Sequence, residues 1–117
     1  EIDKDFGKNG TKIFSEFNAD SIATSINIIN DKQILLAGTI KNTKNEDAAL
    51  IMIDNNANLD LSFGNQGVYK FDAGKNEIFT DMKMVNDNLY VIGLHWDEDE
   101  GDVILFRMYK QNANSCN

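Results

Sequence analysis

The sequence predicts an all-β fold made of two propeller-blade-like repeats, each of about four antiparallel strands. Three observations support this prediction. Blocks of sequence recur in the same order in the two halves of the chain, short runs rich in Ile, Val, Phe, Tyr and Thr lie between them, and Asn, Asp and Gly separate the runs. β-Branched and aromatic side chains favour strands, whereas Asn, Asp and Gly favour turns.

Each repeat begins with a turn block. The first turn block, residues 2–10, reads IDKDFGKNG, and the second turn block, residues 59–67, reads LDLSFGNQG, 57 positions further on. We expect the aspartates to accept hydrogen bonds from backbone amides, the phenylalanines to fill core positions where one blade passes to the next, and the glycines to adopt positive φ. These repeat-motif residues are Asp3, Phe6, Gly7, Gly10, Asp60, Phe63, Gly64 and Gly67.

Two further blocks recur after the turn block. The hairpin block of residues 33–38, QILLAG, and the strand block of residues 47–52, DAALIM, recur 55 positions further on as NLYVIG and DVILFR. The small differences in spacing indicate loop insertions. The chain therefore divides into a first blade-like repeat, residues 1–58, and a second, residues 59–117, which together form one structural unit.

Each repeat contains four predicted strands. Runs such as residues 48–53 are apolar almost throughout, which is typical of short strands covered on both faces. The alternative for residues 21–36, a helix, conflicts with their two-residue alternation and their β-branched content. The predicted strands are residues 12–17, 21–29, 33–40 and 48–54 in the first repeat, and 68–72, 78–85, 89–95 and 103–109 in the second.

Two blades alone do not close a propeller ring, which needs about 4–8. An open pair would leave two apolar sheet faces in water, and such faces promote association. We therefore expect the partners of this chain to be other blades of the same parent chain, or copies of itself that close a ring. The third option is that the two sheets simply pack face to face as a sandwich.

The composition excludes some classes of partner. The chain has 117 residues and a formal net charge of -8, from 11 Lys and Arg against 19 Asp and Glu. Nucleic acids and anionic membranes attract clustered Lys and Arg, and Arg107 is the only arginine. We therefore expect no nucleic-acid partner. No run of about 18 apolar residues is present, so we expect no membrane insertion either. No apolar signal segment leads the chain, and Cys116, the single cysteine, excludes an intrachain disulfide.

The loop that follows the seventh predicted strand, residues 89–95, is densely acidic. Residues 96–102 read WDEDEGD. Ca²⁺ takes several oxygen ligands, so Asp97, Asp99 and Asp102 are candidate calcium ligands. The pattern is incomplete, because the bidentate Glu of a full calcium loop is missing and the corresponding residues 41–46 contain two Lys and one acid. We therefore expect a solvated loop and no cofactor, with calcium as the alternative.

The sequence contains few residues in an arrangement suited to catalysis. His95 is the only histidine, and no Ser, Cys or second His stands in a motif with it. Glu98 and Glu100 lie on a loop where nothing would drive the pKa values of two carboxylates apart, as a glycosidase requires. We expect no catalytic residues and no enzyme activity.

Aromatic residues offer a further binding hypothesis. Trp96 is a candidate for stacking on a ligand, and a sugar-binding surface would form if it clustered with Tyr69, Tyr90 and Tyr109. Two-blade chains that assemble into lectin propellers provide the analogy for this alternative. Tyr90 and Tyr109 lie within predicted strands, as does Tyr69, and packing in the core is the default there.

The three repeated blocks resemble the delta-60 repeat family. The first block of that family is kept best in residues 59–67, the hairpin block appears as residues 31–38, DKQILLAG, and the strand block as residues 47–52. The resemblance covers essentially the whole chain. It departs from the family pattern where Lys32 and Asn88 replace the hairpin glycine, and where the first repeat lacks the arginine that the second keeps.

The resemblance implies a noncatalytic propeller-like scaffold in a bacterial surface or secreted protein. It supplies no ligand, so no functional residue is carried over. We therefore expect a structural or protein-interaction module with an extracellular or cell-surface location. The alternative is a carbohydrate-binding propeller assembled from two-blade chains, with a glycan rather than a protein as its ligand.

Overall fold

The computed structural model describes residues 1–15, 17 and 19–109, and Cys116 lies outside this part of the chain. The all-β prediction is confirmed. No helix is found in the described residues, and so none there is long and apolar enough to cross a membrane. The strands are β1 (Ser21–Asn30), β2 (Gln33–Lys41), β3 (Glu46–Ile53), β4 (Val68–Phe71), β5 (Asn76–Val85), β6 (Asn88–Trp96) and β7 (Gly101–Tyr109).

The strands form two antiparallel sheets. The first sheet has the order β1-β2-β3-β4 and the second the order β5-β6-β7. β4 lies in the second repeat of the sequence, yet it pairs with β3 of the first repeat, with Tyr69 opposite Leu50. The sheets are therefore offset from the sequence repeats by one strand, and the second turn block connects β3 to its own edge partner.

The strand predicted over residues 12–17 is not formed. Residues 12–15 have no regular structure and Phe17 lies in a turn. The reason is visible in β4, which corresponds to residues 11–14 and is a strand because β3 lies beside it. No described strand pairs with residues 12–15, and an extended segment is a β-strand only when it is hydrogen-bonded to a neighbour.

The two sheets carry the same irregularity at the same place. β1 and β5 each contain a bulge, and in both the extra residue is a threonine, Thr24 or Thr80. The hydroxyl of Thr24 lies 3.1 Å from the carbonyl oxygen of Ala37 and 2.6 Å from that of Phe79, and the hydroxyl of Thr80 lies 3.3 Å from the carbonyl oxygen of Ile92. Ala37 and Ile92 are themselves 55 positions apart, so the three-dimensional structure repeats with the spacing of the sequence.

A glycine faces each bulge. Gly38 on β2 and Gly93 on β6 occupy equivalent positions, and a Cβ atom at either would collide with a backbone carbonyl, that of Ile22 or of Ile78. The bulged strand can approach the central strand only where no side chain intervenes. These two glycines are the last residues of the repeated hairpin block, which explains why that block ends in glycine.

The sheets stack head to tail rather than through equivalent faces. On β2, Leu35 and Ala37 are buried between the sheets. On β6, the buried residues are instead Leu89 and Val91. Ile92, the counterpart of Ala37, points to the outer side of the second sheet and is 44% exposed. Each sheet therefore presents the same face in the same direction, and the two faces in contact are different.

The hydrophobic core lies between the sheets. Its aromatic centre consists of Phe79, whose ring lies 6.5 Å from that of Phe71 and 6.2 Å from that of Phe106, and of Tyr69, 5.5 Å from Phe106. Residues from all three strands of the second sheet and all four of the first contribute. The buried core residues are Ile29, Leu35, Ala37, Ala48, Leu50, Met52, Phe63, Phe79, Met82, Leu89, Val91 and Met108.

Candidate functional site

Buried carboxylates collect at one end of the sheet interface. Glu77 at the start of β5 is fully buried, and Asp47 at the start of β3 is 5% exposed. Asp72, which follows β4, is exposed. One ligand oxygen from each of the three lies within 4.8 Å of those of the others. We call this group, Asp47, Asp72 and Glu77, the carboxylate cluster.

Glu77 holds the loop between β4 and β5. Its Oε1 accepts a hydrogen bond from the backbone N–H of Ala73 at 3.3 Å, and its Oε2 accepts one from the N–H of Lys75 at 3.2 Å. The same Oε2 lies 2.9 Å from Nδ1 of His95 on the adjacent strand. Of these two side chains, only His95 was a candidate in the sequence. A lone acid at the start of an apolar run was the signal for Glu77, which lies one residue before the predicted strand 78–85.

Asp47 contributes the second buried carboxylate. Its Oδ2 accepts a hydrogen bond from the side-chain amide of Asn42 at 2.9 Å, while its buried Oδ1 has no hydrogen-bond partner. Close by, the hydroxyl of Thr39 lies 3.0 Å from the carbonyl oxygens of both Asp47 and Glu77. The carboxylate cluster therefore lies at a joint between the two sheets.

The spacing of the carboxylate cluster suits a hard cation. Calcium binds carboxylate oxygens at about 2.3–2.6 Å, so two ligands on opposite sides of the ion lie about 5 Å apart. Three oxygens within 4.8 Å of one another fit inside that shell. Among the residues that the structure describes, the carboxylate cluster is the group of three metal-ligating side chains whose ligand atoms lie close enough together to hold a metal ion.

The acidic loop is organised around Asp97. Its Oδ1 accepts hydrogen bonds from the backbone N–H groups of Asp99 at 2.9 Å and Glu100 at 3.1 Å, and its Oδ2 lies 3.0 Å from Nζ of Lys75. The hydrogen bond from Lys75, followed by those from the two amides, lowers the pKa of Asp97 to about 2. Asp97 thus forms a turn, and neither it nor Asp99 nor Asp102 belongs to the carboxylate cluster. Calcium binding by this loop stays a prediction.

The aromatic residues proposed for sugar stacking lie apart. Trp96 is half-buried at one end of β6, whereas Tyr109 is 46% exposed beside the other end of that strand. Eight residue steps separate the two ends, roughly 26 Å at the rise of a strand. Tyr69 packs inside against Phe106, and Tyr90 is half-buried. Glycan binding stays a prediction, and it would have to use Trp96 without these tyrosines.

The two turn blocks have the same backbone hydrogen bonds. The N–H of Phe6 donates to the carbonyl oxygen of Asp3 at 3.2 Å, and the N–H of Phe63 donates to that of Asp60 at 3.1 Å. The aspartate carboxylates also accept backbone hydrogen bonds, in the first block from Asp5 at 3.0 Å. In the second block, the hydroxyl of Ser62 is the main cause that lowers the pKa of Asp60.

The glycines of the turn blocks have matching positive φ angles. Gly7 and Gly64 have φ of 59° and 56°, and Gly10 and Gly67 have φ of 94° and 93°. A Cβ at Gly64 would also collide with the carbonyl of the residue four positions later. Both turn blocks therefore fold the same way locally, and glycine adopts these positive φ angles at no steric cost.

The outer faces of both sheets expose apolar side chains. On the second sheet, Leu94 is 45% exposed and Val103 opposite it is 78% exposed. On the first sheet, Ile26 is 62% exposed. The first sheet is partly covered by Phe14 and Phe17, whose stacked rings lie 6.3 Å apart at the edge of a small cavity. Other strongly exposed apolar residues on these outer faces are Ile22, Ile28, Ile92 and Leu105.

A larger cavity of about 680 Å³ lies beside the second turn block. Its walls include Phe17, Leu59, Leu61 and Tyr69. Among its described lining residues, Lys70 is the one that is charged at neutral pH. The cavity therefore offers an apolar surface and no pair of groups suited to acid–base chemistry.

Comparison with known proteins identified no relative. No family model matches the chain, and neither a curated protein nor a solved structure matches it.

Proposed function

We propose that the chain is a noncatalytic β-propeller-type repeat module that works by binding neighbouring blades and other proteins. One observation carries this proposal. The face that the first sheet buries against the second is presented again, by equivalent residues, on the exposed side of the second sheet. A surface that already serves as an interface once in the chain is a good candidate to serve as one again.

The chemistry of the exposed face supports this function. Large apolar patches on soluble proteins mark interaction sites, because they remain costly to hydrate until a partner covers them. Val103 and Leu105 on β7 are 78% and 67% exposed, and they lie opposite Leu94 and Ile92 on β6, 45% and 44% exposed. These four residues form one continuous patch, which we call the outer patch.

The resemblance to the delta-60 repeats suggests where such a module would act. It favours an extracellular or cell-surface role in a bacterial protein, with the blades as scaffold. The interaction role and this location are both part of the proposal, as is the assignment to that family.

Light scattering at micromolar concentration tests the proposed function. We expect copies to associate through the outer patch into assemblies of two, three or four chains, since these give four, six or eight blades. Leu105→Lys should abolish the association, whereas Leu61→Lys, at a residue that is 60% exposed in the second turn block and outside the outer patch, should leave it intact. A 13.1 kDa species at all concentrations would contradict self-association through the patch. A specific signal on a glycan array would instead favour the lectin-like alternative.

A further inference from the structure

We propose that the N-terminal segment of a second copy of this chain, residues 2–14, binds over the outer patch and along the edge of β7 that no described strand covers. It would bind there as residues 59–71 bind along β3 within one chain. This inference rests on the proposed function, and it adds the identity of the partner segment, the strand that receives it and the register. We call residues 2–14 the donor segment.

The template for this contact is present in the structure. The second turn block runs beside the end of β3, where the N–H of Asp60 donates to the carbonyl oxygen of Met52 at 2.9 Å and the N–H of Met52 donates to that of Gly67 at 3.0 Å. The chain then continues as β4, which pairs with β3 with Tyr69 opposite Leu50. One segment thus completes the sheet edge and covers the end of the core.

The donor segment already has the conformation that the template uses. The hydrogen bonds of the first turn block match those of the second one for one, from Phe6 to Asp3 through Thr11 to Lys8. The four glycine φ angles agree within a few degrees. A segment that is preformed loses little conformational entropy on binding, which favours association.

The acceptor strand offers an edge of the same kind. In the described part of the chain β7 pairs with β6 alone, as β3 would pair with β2 alone if β4 were removed. By the repeat spacing, Val103 takes the place of Ala48 and Leu105 that of Leu50. The template register then places Phe14 of the donor opposite Val103, because Phe71 lies opposite Ala48.

Exposed apolar surface on both sides would be buried together. In the donor segment Ile2 is 67% exposed, and in the acceptor Val103 is 78% exposed. Phe6 is half-buried, whereas its counterpart Phe63 is fully buried in the core. Binding to a second copy would place Phe6 in the environment that Phe63 already has.

The position of the donor segment within its own chain is compatible with this contact. Phe14 lines a cavity with Leu36 and Ile51 on the outer face of the first sheet. Its counterpart Phe71 packs on the equivalent face of the second sheet, with its ring 6.5 Å from that of Phe79. When the outer patch of one copy stacks on the first sheet of another, the donor segment therefore lies beside β7, as β4 lies beside β3.

Charge favours a second copy of this chain as the source of the segment. The donor segment contains three Lys and two Asp and so carries a net charge of +1, whereas the whole chain carries -8. Attraction between opposite charges speeds association and opposes wrong alignments. A segment with the composition of the rest of the chain would be repelled.

A labelled peptide of residues 1–15 tests the inference directly on the full chain, diluted until light scattering shows single copies, so that no neighbouring donor segment occupies β7. We expect saturable binding by fluorescence anisotropy, weakened at least tenfold by Leu105→Lys in the chain and by Phe14→Asp in the peptide. The matched control, Leu61→Lys, should bind as the unaltered chain does. Circular dichroism and thermal melting verify that each variant remains folded. Equal binding to the Leu105→Lys chain, or no binding to the unaltered chain, would overturn the proposal.

Hydrogen exchange locates the peptide. Bound peptide should slow amide exchange in β7 and leave β1, the edge strand of the other sheet, unchanged, because only β7 gains backbone hydrogen bonds. Protection of β1 instead would overturn the assigned edge.

Light scattering on full-length Phe14→Asp separates this inference from the proposed function. Assemblies that persist in this variant show that patches stack without the donor segment, which rejects the inference and leaves the proposed function standing. If the unaltered chain is a monomer and the peptide also fails to bind, both are rejected.

Discussion

Leu50 and Leu105 occupy the same position in the two repeats, yet their surroundings are opposite. Leu50 is fully buried and Leu105 is 67% exposed. Both lie on the third strand of their sheet and point in the same direction. The second sheet packs on Leu50, and no described residue of the chain occupies the corresponding place over Leu105. The comparison teaches that a repeated residue acquires its burial from the neighbouring repeat and not from its own.

The two turn blocks show the same contrast in a loop. Phe6 and Phe63 lie in turns with matching hydrogen bonds and matching glycine conformations. Phe63 is nevertheless fully buried, whereas Phe6 is only half-buried. Local conformation therefore repeats faithfully where packing does not.

Replacement of the two turn phenylalanines should show the largest difference. Phe63→Ala removes a fully buried ring from the core and should lower the free energy of unfolding by about 3–5 kcal/mol. Phe6→Ala should lower it by less than about 1 kcal/mol in dilute solution, since its ring is partly hydrated already. Urea denaturation measures both. Equal losses would show that the first turn block is packed as tightly as the second.

The leucine pair should give the next largest effect. Leu50→Ala should destabilise by about 2–5 kcal/mol, because a cavity remains between the sheets. Leu105→Ala should cost less than about 1 kcal/mol when the chain is dilute, and more when the concentration is raised enough for copies to associate. Thermal melts across a concentration series check this, and a concentration-independent Leu105→Ala effect would contradict covering of the outer patch.

The buried carboxylate of the second repeat should have a smaller effect. Glu77→Gln replaces an oxygen that accepts hydrogen bonds with an amide that donates them, so an N–H or His95 loses its partner. We expect a loss of about 1–3 kcal/mol in unfolding free energy by urea denaturation. The control is Ser21→Ala at the equivalent exposed position of β1, which should change stability by less than about 0.5 kcal/mol. If Glu77→Gln leaves the unfolding free energy unchanged, the loop before β5 holds its place without the carboxyl group of Glu77.

The ion pair on the acidic loop should give the smallest effect. The folded pKa of Asp97, about 2, lies below its ordinary value of 3.8. The carboxylate therefore stabilises the fold above pH 3.8, and this contribution is lost as the pH falls from 3.8 towards 2. Melting temperatures between pH 2 and 6 should show a slightly shallower decline for Asp97→Asn, and the difference should shrink in high salt. An unchanged pH profile would mean that Lys75 stays hydrated in solution.

The fold itself was predictable to a large extent because its signals are local. Seven of the eight predicted strands are present, with bounds within two residues of those observed. The turn residues, and the glycines Gly38 and Gly93 that face the bulges, act through steric rules that involve only adjacent residues or paired strands. The prediction of a strand over residues 12–17 was wrong because a strand needs a hydrogen-bonded neighbour, and the β-propensity of these residues does not show whether one is present.

The carboxylate cluster was not predictable in this way. Asp47, Asp72 and Glu77 are separated by as many as 30 positions in the sequence and meet only because the two sheets stack. The dense run of acids after Trp96 suggested a cation site, yet the carboxylate of Asp97 accepts a backbone hydrogen bond within the turn and pairs with Lys75. Proximity in sequence is a poor guide to convergence of ligand atoms, since neighbouring side chains on a loop diverge.

The sequence by itself determined the repeat, the hairpins and the two turn blocks, because each depends on short-range sterics and on the pairing of adjacent strands. The tertiary structure alone decided that β4 completes the first sheet, that Leu50 is buried while Leu105 is exposed, and that three distant carboxylates meet. Both repeats carry the same pattern of apolar residues on both faces. Which of those faces is covered depends on what stacks beside it, and packing partners are a property of the folded assembly rather than of any one segment.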